Sequence, residues 1–111
     1  MPLPAKPYRV PFPLGQTFLS SGVHHAIQDN PAFAVFVQRS LNAHAQCRWG
    51  DLDDEDRQAN DQALDEGSRL LSAYLLDPAA APVGEYAGET KLWIITEADR
   101  SSTTVLFPRE Y

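Results

Sequence analysis

The alternation of apolar and polar positions divides the chain into two kinds of element. Three segments in its second half, RLLSAYLL, TKLWIIT and STTVLF, are rich in β-branched, aromatic and leucine residues and are bounded by turn-prone sequence. This pattern predicts three consecutive antiparallel strands. Near the start, QTFLS predicts a shorter strand. We therefore expect an α+β fold: a short N-terminal strand, two or three helices, then a three-stranded antiparallel β-meander.

The helices are predicted between the first strand and the meander. The best signal is DLDDEDRQANDQALDEG, where Asp53 suits the N-cap, carboxylates fill the first turn and Gly67 suits the C′ position. A second helix is predicted through VHHAIQ, capped by Ser20 or Ser21. PAFAVFVQRSL fits a helix that begins at its proline, with a strand as the alternative. NAHAQCRWG lacks a clear period and predicts a loop.

Two proline-rich stretches are predicted to lie outside these elements. Residues 1–13 contain five prolines and predict an extended arm, which leaves residues 14–111 as a single domain. The connection DPAAAPVGEYAGE is long for a hairpin and predicts a mobile excursion.

The middle strand of the predicted meander is apolar on both faces. Alternate side chains point in opposite directions along a strand, so Leu92, Ile94 and Thr96 oppose Trp93, Ile95 and Glu97. Such a sheet needs two covers. Helices supply one, and either the N-terminal arm or a second subunit supplies the other, which makes a homodimer one expected arrangement.

Composition and charge narrow the functional classes. The 111 residues include 9 basic and 15 acidic side chains, with a formal charge of −6. Direct nucleic-acid binding is not expected, because phosphate contacts need clustered Lys and Arg. No apolar run approaches the roughly 18–20 residues that cross a bilayer, and no signal-peptide pattern is visible. With Cys47 as the single cysteine, these features predict a cytoplasmic protein without membrane contact.

The acidic run is the first candidate site. Its carboxylates, Asp53, Asp54 and Asp56 among them, would form a dense negative surface toward a basic protein partner. The alternative is an ordinary solvated helix with acids at its N-terminus. Trp93 is the aromatic side chain expected to join this binding surface.

The polar cluster between the last two strands is the second candidate. Glu97 and Arg100, with Asp99 beside them, could join His44 and Tyr111 as the acid, base and phosphate clamp of a small nuclease. The alternative is a hairpin turn with a local ion pair, which the scarcity of cations favours. His44 is then expected to bond a loop carbonyl, with Trp49 packed beneath it.

Metal and cofactor sites are not predicted. A zinc site would need His44 and Cys47 plus two remote ligands, and the acidic run lacks the glycine and closing glutamate of a calcium loop. No phosphate-binding glycine loop, nucleophile elbow or dinucleotide motif is present.

Three strings carry a family resemblance: WGDLDDEDRQANDQAL, GSRLLSAY and KLWIITEADRSSTTVLFPREY. They resemble small plasmid-related proteins of plasmids, integrative elements and phages, some of which are labelled restriction-modification subunits. The family pattern places its histidine on His44 and its tryptophan on Trp49, and this chain has Cys47-Arg48 where the family usually has Gly-Asp. The resemblance implies a mobile genetic element as the habitat.

Taken together, these features predict a non-enzymatic accessory protein of a mobile element that acts by protein–protein binding and inhibits host defence, as anti-CRISPR or anti-restriction proteins do. Its partner would be a protein, with Asp53, Asp54, Asp56 and Trp93 as contact residues. The alternative is a small ribonuclease-like toxin that uses His44, Glu97 and Arg100.

Overall fold

The computed structural model describes residues 12–111, which form one mixed sheet and three helices. The strands are β1 (Gln16–Leu19), β2 (Leu70–Leu75), β3 (Lys91–Thr96) and β4 (Ser102–Leu106). The helices are α1 (Ser21–Asp29), α2 (Pro31–Ala45) and α3 (Asp54–Glu66). The predicted α+β class is thereby confirmed.

The sheet has the order β1-β4-β3-β2. Strands β2, β3 and β4 form the predicted antiparallel meander. The prediction was incomplete in one respect, because β1 joins the same sheet parallel to β4. The backbone N–H of Gln16 donates to the carbonyl of Ser101 at 2.9 Å, and that of Ser20 donates to Val105 at 2.9 Å. The sheet is therefore four-stranded and mixed.

Gly15 permits this parallel pairing. Its φ of +65° lies in the left-handed region, and a Cβ atom placed there would lie 2.3 Å from the carbonyl oxygen of Ser101. Only glycine tolerates both conditions. The turn before β1 can therefore approach the end of the β3–β4 hairpin closely enough to start the parallel ladder.

Helix α2 is longer than the sequence pattern indicated. Asn30 caps it by accepting from the backbone N–H of Ala32 at 3.0 Å, and the helix continues to Ala45. The strand alternative for PAFAVFVQRSL and the loop predicted over residues 42–45 were both wrong. The buried positions of the helix include Ser40 and His44. Because these polar side chains lie on its buried face, the apolar spacing typical of a helix is not evident in the sequence.

The core lies between the helices and one face of the sheet. Its main cluster contains residues from α1, α2, β3, β4 and the segments that follow β2 and β4, namely Val23, Ala26, Phe33, Val37, Ala80, Leu92, Ile94, Val105 and Phe107. A smaller cluster joins Phe12, Trp49 and Leu70, with Leu64 of α3 packed against it. Residues 1–11 of the predicted arm lie outside the described part of the chain.

The connection between β2 and β3 packs against the core. It contains 3₁₀ turns at Pro78–Ala80 and Gly84–Tyr86. Ala80 is 2% exposed, and the ring of Tyr86 stacks on that of Phe107 at 5.1 Å. The segment predicted as an excursion therefore contributes contacts to the main cluster.

Helix α3 has the ends that the sequence predicted. The Asp53 side chain accepts from the N–H of Asp56 at 2.8 Å, and Gly67 adopts the left-handed conformation with φ +75°. Midway along the helix, the buried Asn60 side chain accepts from the N–H of Leu71 at 3.2 Å and donates to its carbonyl at 2.5 Å. One side chain thus joins α3 to the outer edge of β2.

We expect Asn60→Ala to lower the free energy of unfolding by about 1–3 kcal/mol, because it leaves the N–H and C=O of Leu71 without their partner. Urea denaturation monitored by circular dichroism measures this change. The matched control is Gln58→Ala on the exposed side of the same helix, which should change stability by less than about 0.5 kcal/mol. Equal effects of the two substitutions would contradict the role given to Asn60.

Candidate protein-binding surface

His44 lies in the interior of the protein. Its side chain is 0% exposed, between α2 and the sheet. Its Nδ1 lies 2.5 Å from Ser72 Oγ, and its Nε2 lies 2.8 Å from Thr96 Oγ1. The predicted packing with Trp49 is present, as an edge-to-face contact at 5.8 Å. The predicted partner, a loop carbonyl, was wrong, because strand hydroxyls bind both ring nitrogens.

The hydrogen bonds around His44 form a chain whose direction is determined. Thr103 Oγ1 lies 2.7 Å from the carbonyl of Leu14, so the Thr103 hydroxyl donates there. Thr96 Oγ1 lies 2.8 Å from Thr103 Oγ1. Each hydroxyl has a single proton, so Thr96 donates to Thr103 and accepts from Nε2–H of His44. Nδ1 of the neutral ring then accepts from the Ser72 hydroxyl.

This environment keeps the His44 ring uncharged at neutral pH. Burial, with a smaller effect from the nearby Arg100 guanidinium, lowers the His44 pKa from its ordinary 6.5 to about 4. The ring also packs edge-to-face against Phe12 at 5.2 Å. A general acid or base must be within hydrogen-bond reach of substrate, and this ring is enclosed on every side that the structure describes.

The polar cluster between β3 and β4 forms a turn. Glu97 N–H donates to the Ser102 carbonyl at 3.0 Å. Asp99 accepts from the backbone N–H of Ser101 at 3.0 Å and from its hydroxyl at 2.6 Å, which lowers the pKa of this exposed carboxyl. Arg100 occupies the left-handed region at φ +60°. The backbone between β3 and β4 therefore forms a hairpin turn, as the alternative to a catalytic site predicted.

Arg100 uses its guanidinium to join the turn to the end of α3. Nη1 donates to the carbonyl of Ser68 at 2.6 Å and to that of Glu97 at 3.1 Å, and Nη2 donates to Ala63 at 3.4 Å. The local ion pair was predicted incorrectly, because the Glu97 carboxylate pairs with Arg69 at 3.4 Å. His44, Glu97 and Arg100 thus have separate hydrogen-bond partners, and a nuclease site gains no support from their geometry.

The acidic turn, which we define as Asp53, Asp54, Glu55 and Asp56, is exposed to solvent in all four residues. Beyond the Asp53 cap, no hydrogen bond or ion pair within residues 12–111 uses their side-chain oxygens. Carboxylates at a helix N-terminus gain from the helix dipole, which accounts for part of this composition. Helix capping alone does not account for the number of carboxylates here. Eight of the fifteen acidic residues of the chain lie within residues 51–66, where Arg57 is the only basic side chain.

Local contacts place the acidic turn beside the sheet. The Arg57 guanidinium donates to the carbonyl of Gly50 at 3.0 Å, and Gly50 forms a parallel bridge with Ala73 of β2. Asn60, one turn further along α3, bonds Leu71. Helix α3 therefore runs antiparallel to β2 beside its outer edge, with the acidic turn at the Ala73 end.

The face of the sheet opposite the helices is largely apolar. All three helices pack against residues of the other face, so within residues 12–111 none covers this one. We call it the open face. Strand register assigns to it Phe18, Leu71, Ala73, Trp93, Ile95, Thr104 and Leu106. Phe18 is exposed, Leu71, Trp93 and Thr104 are half-buried, and Ala73, Ile95 and Leu106 are buried.

Trp93 lies at the centre of the open face and is half-buried. Its ring contacts the ring of Tyr111 edge-to-face at 5.8 Å, and the Tyr111 hydroxyl accepts from Arg69 Nη1 at 2.8 Å. With Leu71 and Ile95 these residues line a hollow of about 320 Å³. The hollow has an apolar floor and one polar corner, a combination typical of binding surfaces.

Trp93 and Arg57, the residue that follows the acidic turn, are linked through Ala73 and Gly50. Trp93 pairs with Ala73, which pairs with Gly50, so the line from Trp93 to Gly50 crosses two strand spacings, on the order of 10 Å. Sequence reasoning named Asp53, Asp54, Asp56 and Trp93 as binding residues but did not join Phe18, Leu71 and Tyr111 to Trp93. The alternation of side chains along β1 and β2 could have revealed the first two, because it assigns them to the face of Trp93 once the strand order is known.

No protein-family model, curated protein or solved structure matches the chain. Within residues 12–111, no helix is both long and apolar enough to cross a membrane. The same residues bring no three His, Cys, Asp or Glu side chains together as metal ligands.

Proposed function

We propose that this protein is a non-enzymatic accessory protein of a mobile genetic element, and that it acts by binding a basic protein. The observation that carries the proposal is the hollow around Trp93 on the open face, together with the exposed acidic turn on the helix beside the adjoining β2 edge. An apolar patch rimmed by charge is the usual composition of a protein interface. No observation favours a second function.

The charge determines the kind of partner. The acidic turn would steer a cationic surface toward the open face, and its carboxylates would pair with Lys or Arg at the rim. The apolar area around Trp93 would supply most of the affinity, because buried aromatic residues dominate interface energies. Rim charges would contribute mainly to the association rate.

The resemblance to plasmid-related proteins gives this chemistry a biological setting. Defence proteins that cut or hold nucleic acid need basic surfaces to neutralise phosphates, and a dense set of carboxylates would compete for such a surface. We therefore propose a host-defence component as the partner, which implies that the protein works in the cytoplasm.

Affinity capture from a bacterial host with intact defence systems tests the proposal, with a strain that lacks those systems in parallel. We expect a basic protein to be retained from the first strain. Its retention should fall at least tenfold when Asp53, Asp54 and Asp56 are all changed to asparagine. Three rim charges are then lost, while the asparagine amide oxygen at position 53 can still cap α3. Trp93→Ala should reduce retention to a similar or greater extent.

The matched control changes three exposed acids elsewhere, as Asp29→Asn, Asp65→Asn and Glu85→Gln. It alters net charge by the same three units, so it separates local contact from general electrostatic attraction. If this control loses the partner as completely as the variant of the acidic turn, the proposed surface is wrong. Equal retention of wild type and all variants would also contradict the proposal.

A further inference from the structure

The two outer edges of the sheet differ in how their backbone groups are satisfied. At the β2 edge, the outward N–H groups of Leu71, Ala73 and Leu75 all have acceptors within the chain. These acceptors are Asn60 Oδ1 at 3.2 Å, the Trp49 carbonyl at 3.2 Å and Asp51 Oδ2 at 2.8 Å, respectively. The outward N–H groups of β2, and the carbonyls of Leu71 and Ala73, are therefore sealed by bonds within the polypeptide itself.

The β1 edge is not sealed by any residue in the described range. Gln16 and Ser20 donate inward to β4, so the alternation of a strand directs the N–H and C=O groups of Thr17 and Leu19 outward. No backbone hydrogen bond from residues 12–111 reaches these groups. All four residues of β1 are exposed, with Phe18 at 46% and Leu19 at 39%.

The sequence around β1 also lacks the charges that normally protect such an edge. Exposed edge strands usually carry Lys, other charged residues or proline that block pairing with a second chain. Residues 10–28 contain no Asp, Glu, Lys or Arg, although the protein has a formal charge of −6. Within β1 itself, Gln16–Leu19, there is no proline.

We propose that β1 pairs antiparallel with β1 of a second copy of this chain, across a two-fold axis at Phe18. Thr17 then faces Leu19 of the partner subunit, and their outward groups exchange hydrogen bonds on both sides of the axis. Phe18 faces Phe18 of the partner subunit at the intervening non-hydrogen-bonded position, where Cα atoms lie about 4.5 Å apart. The result is a continuous eight-stranded sheet.

Charge and symmetry favour a second copy as the occupant of this edge. Two molecules of charge −6 repel each other at most orientations, and the uncharged segment around β1 allows close approach without opposed carboxylates. A basic partner would find no carboxylate within β1 itself, and Glu110 beside the end of the strand already accepts from the Ser20 hydroxyl at 2.6 Å and the Gly22 N–H at 3.0 Å. The register also places two aromatic rings opposite each other, a stabilising cross-strand pair.

The pairing would extend the open face across both subunits. Register places Phe18, Thr104, Ile95 and Leu71 in one row across the sheet, so the row continues through the axis into its symmetry copy. This inference does not rest on the proposed function, because it depends only on the β1 edge and concerns the purified protein alone.

Sedimentation velocity of the purified full chain over a range of concentrations tests the dimer. We expect a reversible dimer with a dissociation constant on the order of 10–100 μM, since a four-residue edge forms a smaller interface than the standard size. Phe18→Asp and Phe18→Lys should each weaken it at least tenfold, because like charges then face each other across the axis. Mixing the two variants should restore association as a heterodimer.

Val35→Asp is the control, since Val35 is an apolar side chain of α2 with a similar exposure of 51%. It should dimerise like wild type, and circular dichroism should show that all variants fold. A wild-type monomer throughout the concentration range, or charged Phe18 variants that dimerise as wild type does, would overturn the proposal.

Disulfide trapping tests the register. In a Cys47→Ser background, Phe18→Cys should form a covalent dimer on mild oxidation, because facing Cα atoms lie within the disulfide range. Thr104→Cys, one strand further from the axis on the same face, would place the two Cα atoms about 14 Å apart and should stay monomeric. Preferential trapping at position 104 would contradict the proposed register.

Discussion

Replacing His44 with alanine is expected to destabilise the protein by about 3–5 kcal/mol, even though histidine at such a position invites a catalytic interpretation. The substitution would remove a fully buried ring. It would also leave the Ser72 hydroxyl without an acceptor and Thr96 Oγ1 without a donor, in an interior from which water is excluded. Urea denaturation of both proteins at pH 7 measures the change.

His25→Ala is the matched control, because His25 is exposed on α1 and its loss should change stability by less than about 0.5 kcal/mol. If His44→Ala lowered the free energy of unfolding by less than about 1 kcal/mol, the buried hydrogen bonds described for His44 would be contradicted. Domains of this size have a total stability of roughly 5–15 kcal/mol, so the variant should be close to its unfolding threshold at 37 °C.

Stability is expected to fall as the pH is lowered from about 6.5 to about 4, by up to about 3 kcal/mol from His44 alone. The sign follows from the lowered His44 pKa in the folded state. Above pH 6.5 the ring is neutral in both states, so it adds no pH dependence. Between the two pKa values the unfolded chain binds a proton that the folded chain does not, which favours unfolding.

The difference between wild type and His44→Gln isolates this effect from the carboxylates, which titrate in part of the same range. We expect the stability profile of His44→Gln to be flatter between pH 6.5 and 4, while the two profiles run parallel above pH 7. Parallel profiles over the whole range would contradict the neutral, enclosed ring.

Local signals predicted the parts of the fold that depend on neighbouring residues. Asp53 and Gly67 mark the ends of α3 because capping is satisfied within one turn. The meander was predicted because its strands are consecutive and each has an apolar, β-branched composition. The parallel pairing of β1 with β4 was not predictable in the same way, since it joins residues more than 80 positions apart through Gly15.

In the candidate site, too, features set by neighbouring residues were predictable and features set by distant residues were not. Asp53, Asp54 and Asp56 are exposed, as their sequence indicated. The partners of His44 were not predicted, because Ser72 and Thr96 belong to two different strands and satisfy it only once both strands lie beneath α2. Polar residues at inward positions of an apolar strand are the signal that could have indicated a buried polar partner.

The seal on the β2 edge limits how far chains can assemble. Pairing through β1 uses the one edge that residues 12–111 leave open, and both ends of the resulting eight-stranded sheet would be β2 edges closed by Trp49, Asp51 and Asn60. A third chain would find the outward N–H groups of β2, and the carbonyls of Leu71 and Ala73, already bonded. Growth into filaments, the hazard of open-ended strand addition, would thus stop at two molecules.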